Sequence, residues 1–316
     1  MKFDSLSRFQ NRKTEKKQAG KTAALPGDII FKNGSEFLLT RTESDALIKL
    51  PQLRYFEQEY ASCLELIFGI RESKTLRLKE CGICSLHDAL SDKILKKQAA
   101  ELLSHLQNGF DAVEKGLSGR FSRSSRLFFL LSAYFKPEDI IFFDLETKGL
   151  HCETSIIQAG IGFFKNSIFT VNQFTILSDS AEPEMLEYLI PFFKDKKAII
   201  TFNGRTFDVP FLSARCAYYG IAPEFDPGIL YNLDLYHFAK KAFKGTQDSF
   251  RLKDVESGIL KLPRENDIDG AMAPEYYDNF ISSGDPKWLI PIIEHNKTDI
   301  ISLLILFNRI YDEWIK

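Results

Sequence analysis

A disulfide-framework spacing, an excess of charge and a long apolar run are all missing from this chain of 316 residues. Its five cysteines (Cys63, Cys81, Cys84, Cys152, Cys216) are odd in number and scattered. A secreted scaffold is therefore not expected, and a reducing, cytoplasmic setting is the default. Lys and Arg total 41 against 43 Asp and Glu, a formal net charge of −2. No global field announces a nucleic acid or a membrane, so such a partner must be met by a local patch. The most apolar run, Leu127 to Phe135, is nine residues long and is broken by Ser132. Spanning a bilayer takes roughly 20 residues, so no membrane association is expected. No apolar segment follows the basic start, and no leader is expected either.

What is present divides into three stretches. Residues 1–24 carry Lys2, Arg8, Arg12, Lys13, Lys16, Lys17 and Lys21 against Asp4 and Glu15, which reads as a basic, disordered arm. Residues 25–136 read as a smaller α+β region of unknown role. It opens on two apolar runs around Lys32-Asn33-Gly34-Ser35, whose Asn-Gly pair signals a β-hairpin. Helices are expected over 53–69 and 86–117, the second from a stripe of Leu86, Leu90, Ile94, Leu102, Leu106, Phe110, Val113 and Leu117. Between them Cys81-Gly82-Ile83-Cys84 stands near His87 without a second cysteine pair. Two ordinary buried thiols are expected there rather than a structural metal site.

From Pro137 to the C-terminus, residues 137–316, strand and helix patterns alternate. Ile140-Ile141-Phe142-Phe143 reads as a buried central strand. Strands over 155–164 and 167–177, joined by Lys165-Asn166, complete an antiparallel meander. A helix over 183–194, a strand over 198–202, a helix over 206–219, a strand near 229–233 and a helix over 234–243 follow. The order βββαβαβα is that of a ribonuclease H-like α/β fold: a mixed sheet, three antiparallel strands then parallel ones, with helices on both faces.

The opening strand ends in Asp144-Leu145-Glu146-Thr147. Residues two apart in a strand share a face, so the two carboxylates project together and repel unless a cation sits between them. Asp208 falls in the first turn of the helix after the fourth strand, where an Asp also offsets the positive helix end. His295 and Asp299 are four apart in a long helical segment, about 40° around its axis, so both can face one point. Together these acids can converge on two hard cations, with oxygen ligands suiting Mg²⁺ or Mn²⁺. Such a pair serves in-line hydrolysis of a phosphodiester, and His295 is placed to take or orient a proton of the attacking water.

Asp144-x-Glu146, Asn203-Gly204-Arg205-Thr206-Phe207-Asp208 and His295-x-x-x-Asp299 resemble the three motifs of the DEDD family of 3′-to-5′ exonucleases. Within it, Arg251-Leu252-Lys253-Asp254-Val255-Glu256 and Glu294-His295-Asn296 also resemble the YprB-type ribonuclease H-like domain, over about residues 137–312. The resemblance implies metal ligands Asp144, Glu146, Asp208 and Asp299, with Asp144 bridging two divalent cations and Asp208 binding through water. It places His295 where the family has its catalytic His or Tyr. The His-x-x-x-Asp spacing is that of the tyrosine-bearing subclass. Where many relatives continue Thr-Gly-Leu, this chain has Lys148-Gly149-Leu150 after Thr147.

The implied substrate contacts are Thr147, Lys148, Leu150, Asn203, Arg205 and Lys253. Leu150 would wedge a terminal base, and Lys148, Arg205 and Lys253 would meet phosphates. The implied partner is a nucleic acid, a single-stranded 3′ end of DNA or RNA. Two other readings use the same fold: a nucleic-acid-binding protein without activity, and a ribonuclease H-like endonuclease.

Overall fold

Asn33 and Gly34 turn the chain at φ 50° and 90°, joining strand β1 (Asp28–Lys32) to β2 (Ser35–Ser44). Positive φ at both central residues is what a two-residue hairpin turn requires. The structure is a computed structural model that describes residues 25–221, 226–262, 264 and 267–315. The basic arm expected over 1–24 lies outside the described residues.

The chain divides into two units. One comprises Leu50–Lys136 with Tyr311 onward. Its helices are α1 (Leu53–Ala61), α2 (Glu72–Glu80), α3 (Leu86–Ala89), α4 (Lys96–Asn108), α5 (Phe110–Ser118) and α6 (Arg126–Leu130). Phe56, Tyr60, Leu86, Val113, Leu117 and Phe129 are buried here. The single apolar stripe expected over 86–117 is cut at Gly109, whose φ of 84° no helix accommodates. Cys81 and Cys84 are both exposed, correcting the expectation of buried thiols. They follow α2 in a turn that offers no core to enter, and among the described residues neither joins a group of three ligand-type side chains.

The other unit holds β1, β2 and Pro137–Ile310. Its strands continue with β3 (Ile140–Thr147), β4 (Ile156–Lys165), β5 (Ile168–Ile176), β6 (Ala198–Thr201) and β7 (Tyr231–Asp234). Their order across one sheet is β1-β2-β5-β4-β3-β6-β7. The β3-β4-β5 meander is antiparallel, its second turn made by Asn166 and Ser167 at φ 51° and 64°. β6 and β7 add in parallel to β3.

The hairpin is thus part of this sheet rather than of a separate α+β region. β2 lies antiparallel on β5 from Phe37↔Ile176 to Ser44↔Phe169, covering what would be an open sheet edge. The expected stretch 25–136 therefore divides near Lys49, strands before it and helices after.

Alternation along β3 sorts its side chains. Ile141, Phe143 and Leu145 share a core with α7 (Glu182–Leu189), α8 (Asp208–Tyr218) and the segment Ala273–Phe280. Phe142, Asp144 and Glu146 face the opposite side. On that side lies the long α12 (Ile290–Trp314), which α9 (Leu235–Ala242), α10 (Leu252–Val255) and α11 (Ala273–Ser283) precede in the chain. α12 lies close over β4: a Cβ on Gly162 would come within 2.8 Å of Ile300, and one on Gly160 within 2.1 Å of Asn296. Two glycines on one strand face are what let the helix approach. Among the described residues no helix is long and apolar enough to cross a membrane.

Candidate active site

The sheet register sets the site. Asp144 stands opposite Gly160, Gly160 opposite Gln173, and Gln173 opposite Thr40, one row across four strands. With no side chain at Gly160, Asn296 of α12 fills the gap and donates from Nδ2 to Asp144 Oδ2 at 2.8 Å. Its Oδ1 accepts from Gln173 Nε2 at 3.0 Å, and Gln173 Oε1 accepts from Thr40 at 2.9 Å. One Asp144 oxygen is thus held by a buried amide.

Asp208 arrives from the other side of β3. β6 ends at Thr201, and the chain reverses through Asn203 at φ 61°. The side chain of Asp234, at the end of β7, accepts the backbone N–H groups of Asn203 (2.7 Å) and Arg205 (3.4 Å) and caps α9. A Cβ on Gly204 would sit 2.7 Å from Asp208 Oδ2, so the turn passes directly beneath that carboxylate. Asp208 Oδ1 accepts the Leu145 N–H at 3.0 Å. Asp208 is thereby fixed to the backbone residue between Asp144 and Glu146.

α12 brings His295 and Asp299 to the same place. His295 Nε2 lies 3.8 Å from Glu146 Oε1 and 3.8 Å from Asp299 Oδ2. Glu146, His295 and Asp299 each offer one ligand atom within 4.8 Å of the others.

The electrostatics follow from this convergence. Burial, then Asp299, Asp208 and Glu146 in turn, drive the Asp144 carboxyl well above the usual range. Burial, Asp299, Asp208 and Asp267 do the same to Glu146, with Arg264 opposing. Burial pushes Asp208 up to about 7 against the Leu145 N–H. Asp299 is also raised by burial, with Arg264 and His295 opposing. The structure therefore brings Asp144, Glu146, Asp208, His295 and Asp299 together. Two buried acids, Glu146 and Asp208, and two half-buried ones, Asp144 and Asp299, with such mutual repulsion fit a divalent-cation centre, because cations let all of them ionise.

Sequence reasoning missed Arg264 and Asp267. Arg264 makes two hydrogen bonds of 2.6 Å to buried Glu256, one of 2.7 Å to Asp267, and one to Asp299. Asp267 in turn lies 2.9 Å from His295 Nδ1. Both come from an irregular polar stretch between helices, where no periodicity marks a residue as buried. Glu256 was visible as the last residue of the Arg251-to-Glu256 motif, but not as the anchor of an arginine.

The expected substrate contacts are less uniform. Thr147 donates to the Gly149 carbonyl at 2.7 Å and so shapes the turn after β3. Leu150 beyond it is 81% exposed. Lys148 is ion-paired with Asp179 (3.1 Å) and Asp278 (3.2 Å) and lies over the Tyr277 ring, so its charge is already matched. Lys253 pairs with Asp269 at 3.2 Å. Arg205 and Asn203 are both exposed, on the turn that leads to Asp208.

Comparison with known proteins agrees with this architecture. A family model described as the RNase_H superfamily matches residues 141–311. The chain is 28% identical over 179 residues to the uncharacterized protein YprB of Bacillus subtilis (strain 168), which covers 55% of this chain and 42% of that protein. The match thus spans well under half of that relative. The family B DNA polymerase of the hyperthermophilic archaeon Pyrobaculum calidifontis superimposes with a TM-score of 0.42 at 17% identity, over 53% of this chain and 24% of that one.

Proposed function

The chain belongs to the RNase_H superfamily, and from that premise we propose that it is a metal-dependent 3′-to-5′ exonuclease of the DEDD type, hydrolysing phosphodiester bonds at a single-stranded end of DNA or RNA. The observation that carries this reading is the convergence of Asp144, Glu146, Asp208 and Asp299, each raised by burial and by an acidic neighbour. A structural role offers no reason to crowd four carboxylates, two of them buried, against one another.

These four residues would hold two divalent cations, Mg²⁺ or Mn²⁺. When bound, such ions supply an activated water and offset charge on the leaving 3′ oxygen. The chain's own groups set the geometry. Asn296 orients the Asp144 carboxylate, and the Leu145 N–H orients Asp208. Exposed Leu150 offers an apolar surface beside the strand end, suited to a terminal base. Arg205, exposed on the turn preceding Asp208, is suited to a phosphate. The matched charges of Lys148 and Lys253 make them weaker phosphate contacts than Arg205.

Incubation of 5′-labelled single-stranded DNA and RNA with the protein in Mn²⁺, Mg²⁺ or EDTA, beside Asp144→Ala, tests this. A ladder shortened from the 3′ end, dependent on metal and absent with the variant, is expected. Tight binding without cleavage under every condition would instead favour a binding protein on the same fold.

A further inference from the structure

His295 has one ring nitrogen engaged and one open. Nδ1 lies 2.9 and 3.0 Å from the two carboxylate oxygens of Asp267, and 3.1 Å from Arg264 Nη1. A guanidinium only donates, and a carboxylate paired with one only accepts. Arg264 Nη1 carries two hydrogens and directs one of them to Asp267 at 2.7 Å, so Asp267 accepts on that side as well and has no hydrogen of its own to give Nδ1. The hydrogen between Nδ1 and Asp267 must therefore come from the imidazole. In the neutral ring this leaves the lone pair on Nε2.

That lone pair is aimed into the acidic cavity. His295 is 9% exposed, and Nε2 has no hydrogen-bond partner among the described residues. Its neighbours, Glu146 Oε1 and Asp299 Oδ2, are each 3.8 Å away, too far for a hydrogen bond. A lone pair facing two carboxylates is unfavourable until a cation stands between them. Gly270 keeps the space open, since a Cβ there would come within 3.2 Å of Nε2. Arg264 takes Asp299 through Oδ1, so Oδ2 is left facing the histidine.

We propose that His295 Nε2 is a direct ligand of a divalent transition-metal ion, shared with Glu146 and Asp299, and that Asp267 is the positioning residue that sets its tautomer. The proposal rests on the reading of this cavity as a metal centre, and replaces the proton-accepting role that the family resemblance implies for His295. An outer carboxylate on the second ring nitrogen is how ligating histidines are commonly oriented. One imidazole among carboxylates shifts preference from Mg²⁺, which favours oxygen, toward Mn²⁺ and its heavier neighbours.

Pulsed electron paramagnetic resonance of Mn²⁺ bound to the full chain, prepared without a histidine tag, reads the bond directly. A ¹⁴N coupling of directly bound imidazole is expected in the wild type and is lost in His295→Gln. Asp267→Asn should weaken Mn²⁺ binding by about 10- to 100-fold, by the usual effect of losing such an outer partner. Bound Mn²⁺ without ¹⁴N coupling in the wild type, or a coupling that persists in His295→Gln, would overturn the assignment while leaving the nuclease reading intact. A ¹⁴N coupling in a chain that shortens no nucleic acid keeps the ligand assignment and removes the nuclease reading. The wild-type spectrum decides the matter even where a variant fails to fold.

Discussion

Asn296 donates to the Asp144 carboxylate at 2.8 Å across 152 residues of chain, and it reaches that oxygen only because residue 160 is a glycine. A Cβ at Gly160 would fall 2.1 Å from Asn296 Oδ1, against a side chain that is fully buried. Gly160→Ala is therefore expected to lower stability by about 1–3 kcal/mol, the usual range for overpacking. It should also weaken Mn²⁺ binding, because Asp144 loses its orienting amide. Gly119→Ala, where nothing lies within 4 Å of the added methyl, serves as the control and should match the wild type. Thermal denaturation and Mn²⁺ titration of both variants check this.

The acids predict a pH dependence of the metal-free protein. Burial raises Asp208 from its ordinary 3.8 to about 7 in the folded state, and raises Asp144 and Glu146 as well. A raised folded-state value means that the native chain binds more protons than the unfolded one. The resulting stabilisation is complete below the unfolded value and is lost as pH rises through the folded one. In EDTA the melting temperature should thus fall from pH 6 to pH 8. Mn²⁺ should stabilise the protein more at pH 8 than at pH 6, since it binds the ionised form. A melting temperature in EDTA that rises over this interval would count against the convergence of the acids.

Arg264 is the counter-charge that the chain itself supplies. Arg264→Gln leaves Glu256, 1% exposed, without its two hydrogen bonds and Asp299 without its cation. Breaking one side of a buried pair costs about 3–5 kcal/mol. The loss should be full in EDTA and smaller in Mn²⁺, where a metal offsets Asp299. Melting curves with and without Mn²⁺ separate the two cases.

A second buried pair lies away from the acids. Arg215 and Glu182 are 2% and 0% exposed, joined at 2.8 Å through Nε and again through Nη2. Glu182 also accepts the Ile156 N–H, and Arg215 donates to the Cys152 and Glu153 carbonyls, pinning the segment after Leu150. Arg215→Met should destabilise by about 3–5 kcal/mol, and the double change with Glu182→Met by less, because no charge is then stranded. Chemical denaturation of the single and double variants measures the difference.

These features differ in how plainly the sequence carries them. The meander of β3, β4 and β5 was legible because its turns are short and its second link contains Asn166, which tolerates the positive φ found there. Asp144, Glu146, Asp208 and Asp299 were legible as candidates because each stands at a strand end or on a helix whose pattern is local. The place of the N-terminal hairpin was not legible. It depends on β2 meeting β5, as in the Thr40–Gln173 bond across 133 residues, and no local signal sets that register. Arg264 and Asp267 were invisible for a related reason. They act through side chains in an irregular stretch, where neither 3.6- nor 2-residue periodicity distinguishes a buried group from a solvated one.

The metal centre itself is tested most directly by anomalous scattering from a crystal soaked in Mn²⁺. Two peaks about 3.5–4 Å apart are expected, enclosed by Asp144, Glu146, Asp208 and Asp299, with Asp144 touching both. A map with no peak in this cavity, recorded on crystals that bind Mn²⁺ elsewhere, would contradict the assignment of these four carboxylates.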